Sequence, residues 1–186
     1  MEEPTLIRRA VDGDIAAWED LMHAHQEAVF RLAYLIVGDP DDAEDVAQET
    51  FLRAWKHLRG FDLTRPLRPW LLSIASNLSS NRRRSAGRYF AALTRAFRDE
   101  PAPATIEEKS SERLEANELW RAVQKLNMQD QQIVYIRYFL DLPIAEASEV
   151  LQVAEGTVKS RLSRALEKLR EIIKRDFPTL NEGHEA

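Results

Sequence analysis

The sequence predicts an all-α protein: two small helical domains joined by a flexible acidic linker, the C-terminal one containing a helix-turn-helix. Three observations carry this. Apolar residues recur at spacings of three and four from Leu6 to Ile36 and again from Leu114 to Ile173, the period that lays one stripe along a helix. Strand-like alternation is missing, and only 6 Gly occur in 186 residues. Between the two periodic stretches, Asp99-Glu100-Pro101-Ala102-Pro103-Ala104-Thr105 has two prolines, no periodicity and little to bury, which reads as a linker. The expected divisions are residues 1–98, a linker at 99–112, residues 113–176 and a tail at 177–186, each half falling in the usual domain range.

Composition bounds the function. The absence of Cys excludes disulfides and Cys-based zinc sites. No apolar run is long enough to span a bilayer, and Met1-Glu2-Glu3-Pro4 is acidic where a secretory signal would be basic, so a cytoplasmic protein without membrane insertion is expected. The net charge of −5 hides a strong segregation. Residues 1–62 carry 6 basic and 14 acidic groups, whereas residues 63–98 carry 8 Arg and no acid. Residues 99–112 return to −4, with 1 Lys against 5 acids, and residues 113–186 are nearly balanced with 11 basic and 12 acidic groups. Alternating blocks imply separate surfaces for separate partners.

Taken in order, the first well-signalled helix start is Asp39-Pro40-Asp41-Asp42: Asp39 can cap, Pro40 suits the first helical position, and the carboxylates favour the positive end of the dipole. The helix should run to about Leu58, burying Ala43, Val46, Ala47, Thr50, Phe51, Ala54, Trp55 and Leu58. Asp45, Gln48, Glu49 and Leu52 then align on a second, acidic face with one exposed apolar residue. The next helix is expected from Pro69, with Trp70, Leu71, Ile74, Ala75 and Leu78 buried. Its other side offers Ser73, Ser76, Asn77, Ser80, Asn81 and Arg84, beside Arg82 and Arg83. Hydroxyls, amides and guanidiniums without an acid suit a surface that meets base edges and phosphates. Arg88, Tyr89, Phe90, Arg95, Phe97 and Arg98 then interleave rings with charge; the rings could stack bases or pack back on the bundle.

In the second half, Gln131 to Phe139 and Ile144 to Leu151 read as two short helices, with Gln152-Val153-Ala154-Glu155 as a turn. A third helix starts at Gly156. Its apolar residues Val158, Leu162, Ala165, Leu166, Leu169, Ile172 and Ile173 point one way, and Ser160, Ser163 and Arg164 fall on the opposite arc. Arg can donate two parallel hydrogen bonds to a guanine edge and Ser can meet any base, while Lys159 and Arg161 at the flanks can hold phosphates. Helix, tight turn and basic second helix is the helix-turn-helix arrangement, whose second helix enters the major groove.

These segments resemble the extracytoplasmic-function group of bacterial RNA polymerase sigma factors. Glu155-Gly156-Thr157-Val158-Lys159-Ser160-Arg161-Leu162, followed by Arg164-Ala165, is similar to the family's promoter-binding C-terminal domain. The family usually has Leu-Pro where this chain has Leu126-Asn127, and a turn Gly where it has Gln152. Asp42 to Trp55 resembles the helix that docks on the clamp helices of the polymerase's largest subunit; the match implies Asp45, Gln48, Glu49 and Leu52 as contacts, and Phe51 as core. Phe61, Pro69 to Asn77 and Arg83-Arg84 resemble the part that recognises and opens the minus-10 element. The resemblance implies minus-10 contacts from Phe61, Arg65, Ser73, Asn77, Ser80, Asn81, Arg83 and Arg84, with the loop Arg59 to Pro66 sited where the family holds a flipped base. It implies minus-35 contacts from Thr157, Lys159, Ser160, Arg161, Ser163 and Arg164. It also implies three partners: core RNA polymerase, promoter DNA and an anti-sigma protein. The acidic linker resembles the family's connector, which threads through the polymerase.

An enzyme is not expected. His23, His25, His57 and His184 have no second ligand at metal spacing, His23 and His25 read as surface residues, and no phosphate-binding Gly-rich loop or nucleophile elbow occurs. No cofactor is implied. The alternative is a stand-alone helix-turn-helix regulator that binds an operator as a dimer, which would need neither the acidic docking face nor the acid-free segment.

Overall fold

A computed structural model of the chain describes residues 2–96, 111–178 and 180, with side chains described for 2–86, 116–178 and 180. Among these residues every regular element is helical. Helix α1 (Glu3–Val11) leads through Gly13 at φ +96 into α2 (Ile15–Val37), whose N-cap Asp14 accepts from the Ala17 N–H at 3.1 Å. That backbone bond, and then Arg9, hold the Asp14 carboxyl below the usual carboxylate range. Gly38 in the left-handed conformation ends α2 and lets the chain reverse into α3 (Pro40–His57). The Asp39 cap and Pro40 start stand as the sequence predicts, with the Asp39 carboxylate accepting from Asp42 N–H at 2.9 Å. A 3₁₀ turn at Leu58–Gly60 closes α3, and the long α4 runs over Leu67–Ala96, beginning two residues before Pro69.

The second half comprises α5 (Ser111–Gln124), α6 (Met128–Val134), a π-helical turn at Tyr135–Phe139, α7 (Ile144–Leu151) and α8 (Glu155–Asp176). Helix α6 starts three residues earlier than the apolar pattern indicates because Asn127 caps it. Its side chain accepts from Asp130 N–H at 3.0 Å and donates back to the Asp130 carboxylate at 2.6 Å. The wide π turn, closed by Leu140 N–H on the Tyr135 carbonyl, sets the Tyr135 and Phe139 rings against Trp120 at centroid distances of 5.7 and 5.8 Å. Buried Gln131 ties the α5–α6 corner, donating to the carbonyls of Gln124 and Leu126, both at 2.8 Å.

Two helical regions are present, and the expected helix-turn-helix is α7, turn and α8. They pack together: apolar contacts continue without a break from Ile7 in α1 to Leu169 in α8, and α4 lies against α7. The linker expected at 99–112 falls outside the described residues except for its last two, which open α5, and the tail is described only at 177, 178 and 180.

Two sequence expectations are corrected here. His25 is not a surface residue: it is 7% exposed, with its ring Nε2 3.0 Å from the Glu3 carboxylate, because α1 folds over that side of α2. Trp55 is not core: it is 37% exposed at the C-terminal end of α3, its ring 5.3 Å from that of Trp18. No helix among the described residues is long and apolar enough to cross a membrane.

Candidate nucleic-acid interface and docking groove

Helix α8 divides its residues as an amphipathic reading helix must. Val158, Ala165 and Leu169 are buried, while Lys159, Ser160, Ser163 and Arg164 are exposed. Thr157 and Arg161 are half-buried at the edge of this arc. Arg164 sits one turn beyond Ser160, its Nε donating to the Ser160 carbonyl at 3.2 Å, which leaves the guanidinium end directed outward. The preceding turn holds its shape without the family's glycine: Gln152 takes φ 54 and ψ 43, the left-handed conformation.

The polar stripe of α4 is placed differently from its sequence reading. Asn77, Asn81 and Arg84 are exposed, but Ser73, Ser76 and Ser80 are buried, because the second half of the chain lies over them. Ser73 donates to the Trp70 carbonyl at 2.7 Å; Ser80 accepts from the Gln132 amide at 2.6 Å. Arg83 turns inward, donating to the Gln131 side chain at 2.5 Å and the Ile36 carbonyl at 3.3 Å. Arg82 bridges the carboxylates of Asp42 and Asp45, which hold its pKa above the ordinary value, so it belongs to the α3–α4 junction. In the loop before α4, Phe61 packs on Trp70 with centroids 4.7 Å apart. The Asp62 carboxylate accepts from Thr64 N–H and hydroxyl at 3.0 and 2.7 Å, giving a tight Asx turn that presents Arg65. The side chains of Arg88 to Arg98 fall outside those described.

Also in the first half, α2 and α3 enclose an open cavity of about 850 Å³. Trp18 and Phe51, 6.3 Å apart edge to face, contribute its apolar lining together with Met22 and Ala47. Ile15, Phe30, Leu52 and Trp55 stand exposed around it, and Gln26, Glu27, Glu44 and Gln48 are its polar lining. Of the four docking residues read from the sequence, Gln48 and Leu52 line this groove. Asp45 points instead to Arg82, and Glu49 pairs with Arg53 at 2.7 Å. Sequence reasoning about α3 alone missed the α2 wall. The signal was there in Ile15, Trp18, Met22 and Phe30, large apolar residues three, four and eight apart on one helix.

A helix-turn-helix with an exposed polar arc, joined to a helical unit with a second polar and basic helix, is the architecture of a sigma-70-type DNA-binding initiation factor. The Sigma-70 region 2 family model matches residues 21–89, and the Sigma-70 region 4 model matches residues 116–169. The chain belongs to the extracytoplasmic-function (ECF) RNA polymerase sigma factors: it is 34% identical to ECF sigma factor SigL of Mycobacterium tuberculosis over 86% of this chain and 93% of that one. It is likewise 30% identical to ECF sigma factor SigW of Bacillus subtilis over 88% of this chain and 92% of the relative. Among solved structures, CnrH in complex with the cytosolic domain of CnrY superposes with a TM-score of 0.71 at 25% identity, over 94% of this chain and 98% of that one. As a member of this family, the protein directs transcription initiation.

Proposed function

We propose that the chain recruits core RNA polymerase through the α2–α3 groove and reads promoter DNA with two surfaces. Residues 1–98 act as sigma domain two, binding polymerase and recognising and opening the minus-10 element. Residues 113–176 act as sigma domain four, reading the minus-35 element with Thr157, Lys159, Ser160, Arg161, Ser163 and Arg164. The linker at 99–112 joins the two. The observation that carries this reading is the exposed arc of α8, whose hydroxyls and guanidinium stand out from a helix-turn-helix that buries Val158, Ala165 and Leu169 behind them.

The minus-10 surface is Asn77, Asn81 and Arg84, with Phe61 and Arg65 in the loop before α4; Ser73, Ser80 and Arg83 would join it once the second half moves away. A base that leaves the duplex loses a few kcal/mol of stacking and pairing, roughly, and a pocket near Phe61 and the Asp62 turn would return part of that loss. The groove fits an amphipathic helix with an apolar ridge and basic flanks: Leu52 and Trp55 supply apolar anchors, and Glu27 and Glu44 supply charge. The clamp helices of the polymerase are the occupant we assign. An anti-sigma protein is the third partner we assign. The chain supplies no catalytic group, and it works in the cytoplasm where the polymerase is.

The test is reconstitution with core polymerase that lacks any sigma subunit, followed by sequencing of transcripts from a pool of random promoters. Binding to core with initiation downstream of a shared pair of spaced motifs is expected. Failure to bind core, with tight binding of the isolated chain to DNA, would overturn the reading in favour of an operator-binding regulator.

A further inference from the structure

We propose that the cleft bounded by α4, α6, α7 and α8 binds a nucleotide, whose phosphates pair with Arg84 and Arg161 and whose base meets side-chain amides. The cleft holds about 620 Å³, inside the range of pockets that enclose a small organic ligand. Two guanidiniums enter it, and no carboxylate lines it. Arg161, half-buried at the edge of α8, meets no hydrogen-bond or ion-pair partner among the described residues. The partners of Arg84 are neutral oxygens of its own helix, the Ser80 carbonyl at 3.2 Å and the Asn81 side chain at 3.1 Å.

Elsewhere the chain sets an acid against a guanidinium: Arg53 pairs with Glu49, Arg65 with Glu149, and Arg82 with both Asp42 and Asp45. Two Arg that share a cleft without a carboxylate leave that role to an anion from outside. A guanidinium fork matches two phosphate oxygens at once, and a half-buried fork holds them more firmly than one in open water.

The rest of the lining selects among anions. Asn77 and Gln129 bring amides that have no partner among the described residues, and each amide offers a donor beside an acceptor, as the edge of a base does. Met128, Val150 and Leu151 add an apolar patch on which a flat ring sheds water. A bare phosphate uses neither feature, whereas a nucleotide uses both. The missing carboxylates also leave no seat for a divalent cation, so the guanidiniums alone balance the phosphates and binding needs no metal. Arg84 and Arg161 are residues that the proposed function gives to the two DNA surfaces. Resting on that reading, nucleotide and promoter DNA exclude one another.

The test is calorimetric titration of the full chain with ATP and with GTP in EDTA buffer, beside the free nucleosides and inorganic pyrophosphate. At least one nucleotide should bind at one site per chain, tenfold or more tighter than its nucleoside or pyrophosphate. Arg161→Gln should weaken it at least tenfold and abolish the rise in melting temperature that the nucleotide gives the wild type. Arg161→Lys, which keeps the charge without the fork, should recover only part of the affinity. Lys159→Gln, which removes a charge from α8 outside the cleft, should leave affinity within twofold. No binding of either nucleotide overturns the site, and so do equal losses in Lys159→Gln and Arg161→Gln, which would reduce the effect to diffuse charge. Pyrophosphate or a nucleoside that binds as tightly as the nucleotide overturns the ligand class. The nucleotide should also weaken binding of the wild type to a pool of random-sequence duplexes, and have no such effect on Arg161→Gln. Nucleotide that binds in the cleft and leaves DNA affinity unchanged overturns the exclusion alone and locates the error in Arg84 and Arg161 as DNA contacts.

Discussion

Arg164 shows how much one side chain is asked to do. Its guanidinium is directed outward from the exposed arc of α8, with the Ser160 carbonyl holding its Nε. Replacing it by Ala should weaken promoter binding by about 1–3 kcal/mol and relax preference at one base position, as measured by competition among single-base promoter variants. Equal loss on every variant would make it a phosphate contact. Gln152 carries a different load, since a left-handed conformation costs a residue with a Cβ about 1–2 kcal/mol. Gln152→Gly should raise the melting temperature by one or two degrees or so once the entropy of glycine is subtracted, whereas β-branched Gln152→Val should lower it. Tyr135 sets a pH limit. Burial, the largest influence, pushes its phenol up to about 12, against smaller opposing effects of Arg83 and the Gln124 hydrogen bond. An unfolded phenol ionises near about 10, so the unfolded state sheds a proton first. Stability should therefore be insensitive to this group below pH 10 and fall as pH rises from about 10 to about 12. In Tyr135→Phe, denaturant titrations across that window should lose this component of the slope.

At the scale of elements, α2 and α3 make a groove that neither helix makes alone. Leu52 is 56% exposed on its wall, so Leu52→Ala should leave folding nearly unchanged, yet weaken association with core polymerase by about 1–2 kcal/mol or more in a pull-down titration. A variant that binds core as tightly as wild type would remove the groove from the docking surface. The acidic face read from α3 was legible because caps and a 3.6-residue period fix which residues share an arc. Its partition was not: Asp45 is drawn to Arg82, 37 residues away, and that choice depends on how α4 crosses α3. The α7–α8 turn was legible too, although its glycine is missing, because the flanking apolar periods leave room only for a tight reversal. The Asn127 cap shows the same economy, with a side chain capping α6 where the family usually has proline.

Across the whole molecule, the two halves share an unbroken apolar core in addition to the hydrogen bonds from Arg83 to Gln131 and from Gln132 to Ser80. The free chain should therefore unfold in one calorimetric transition with matching van't Hoff and calorimetric enthalpies. A wild type that already melts in two steps would mean the halves are energetically independent. The charge blocks make sense at this scale as well, since an acid-free segment at residues 63–98 must find acceptors somewhere, in DNA or in the rest of its own chain.

Local chemistry settled the helical class, the helix-turn-helix, the polar arc of α8 and the placement of Asp39 and Pro40, because each depends on residues within about one or two turns of one another. Contacts between residues distant in sequence decided the rest: the burial of His25 under α1, the groove between α2 and α3, and the burial of Ser73, Ser76, Ser80 and Arg83 beneath α6 and α7. Periodicity tells a side chain which face of its own helix it occupies. Whether that face meets water, a neighbouring helix or a partner is set by packing across the chain, and only the tertiary structure contains it.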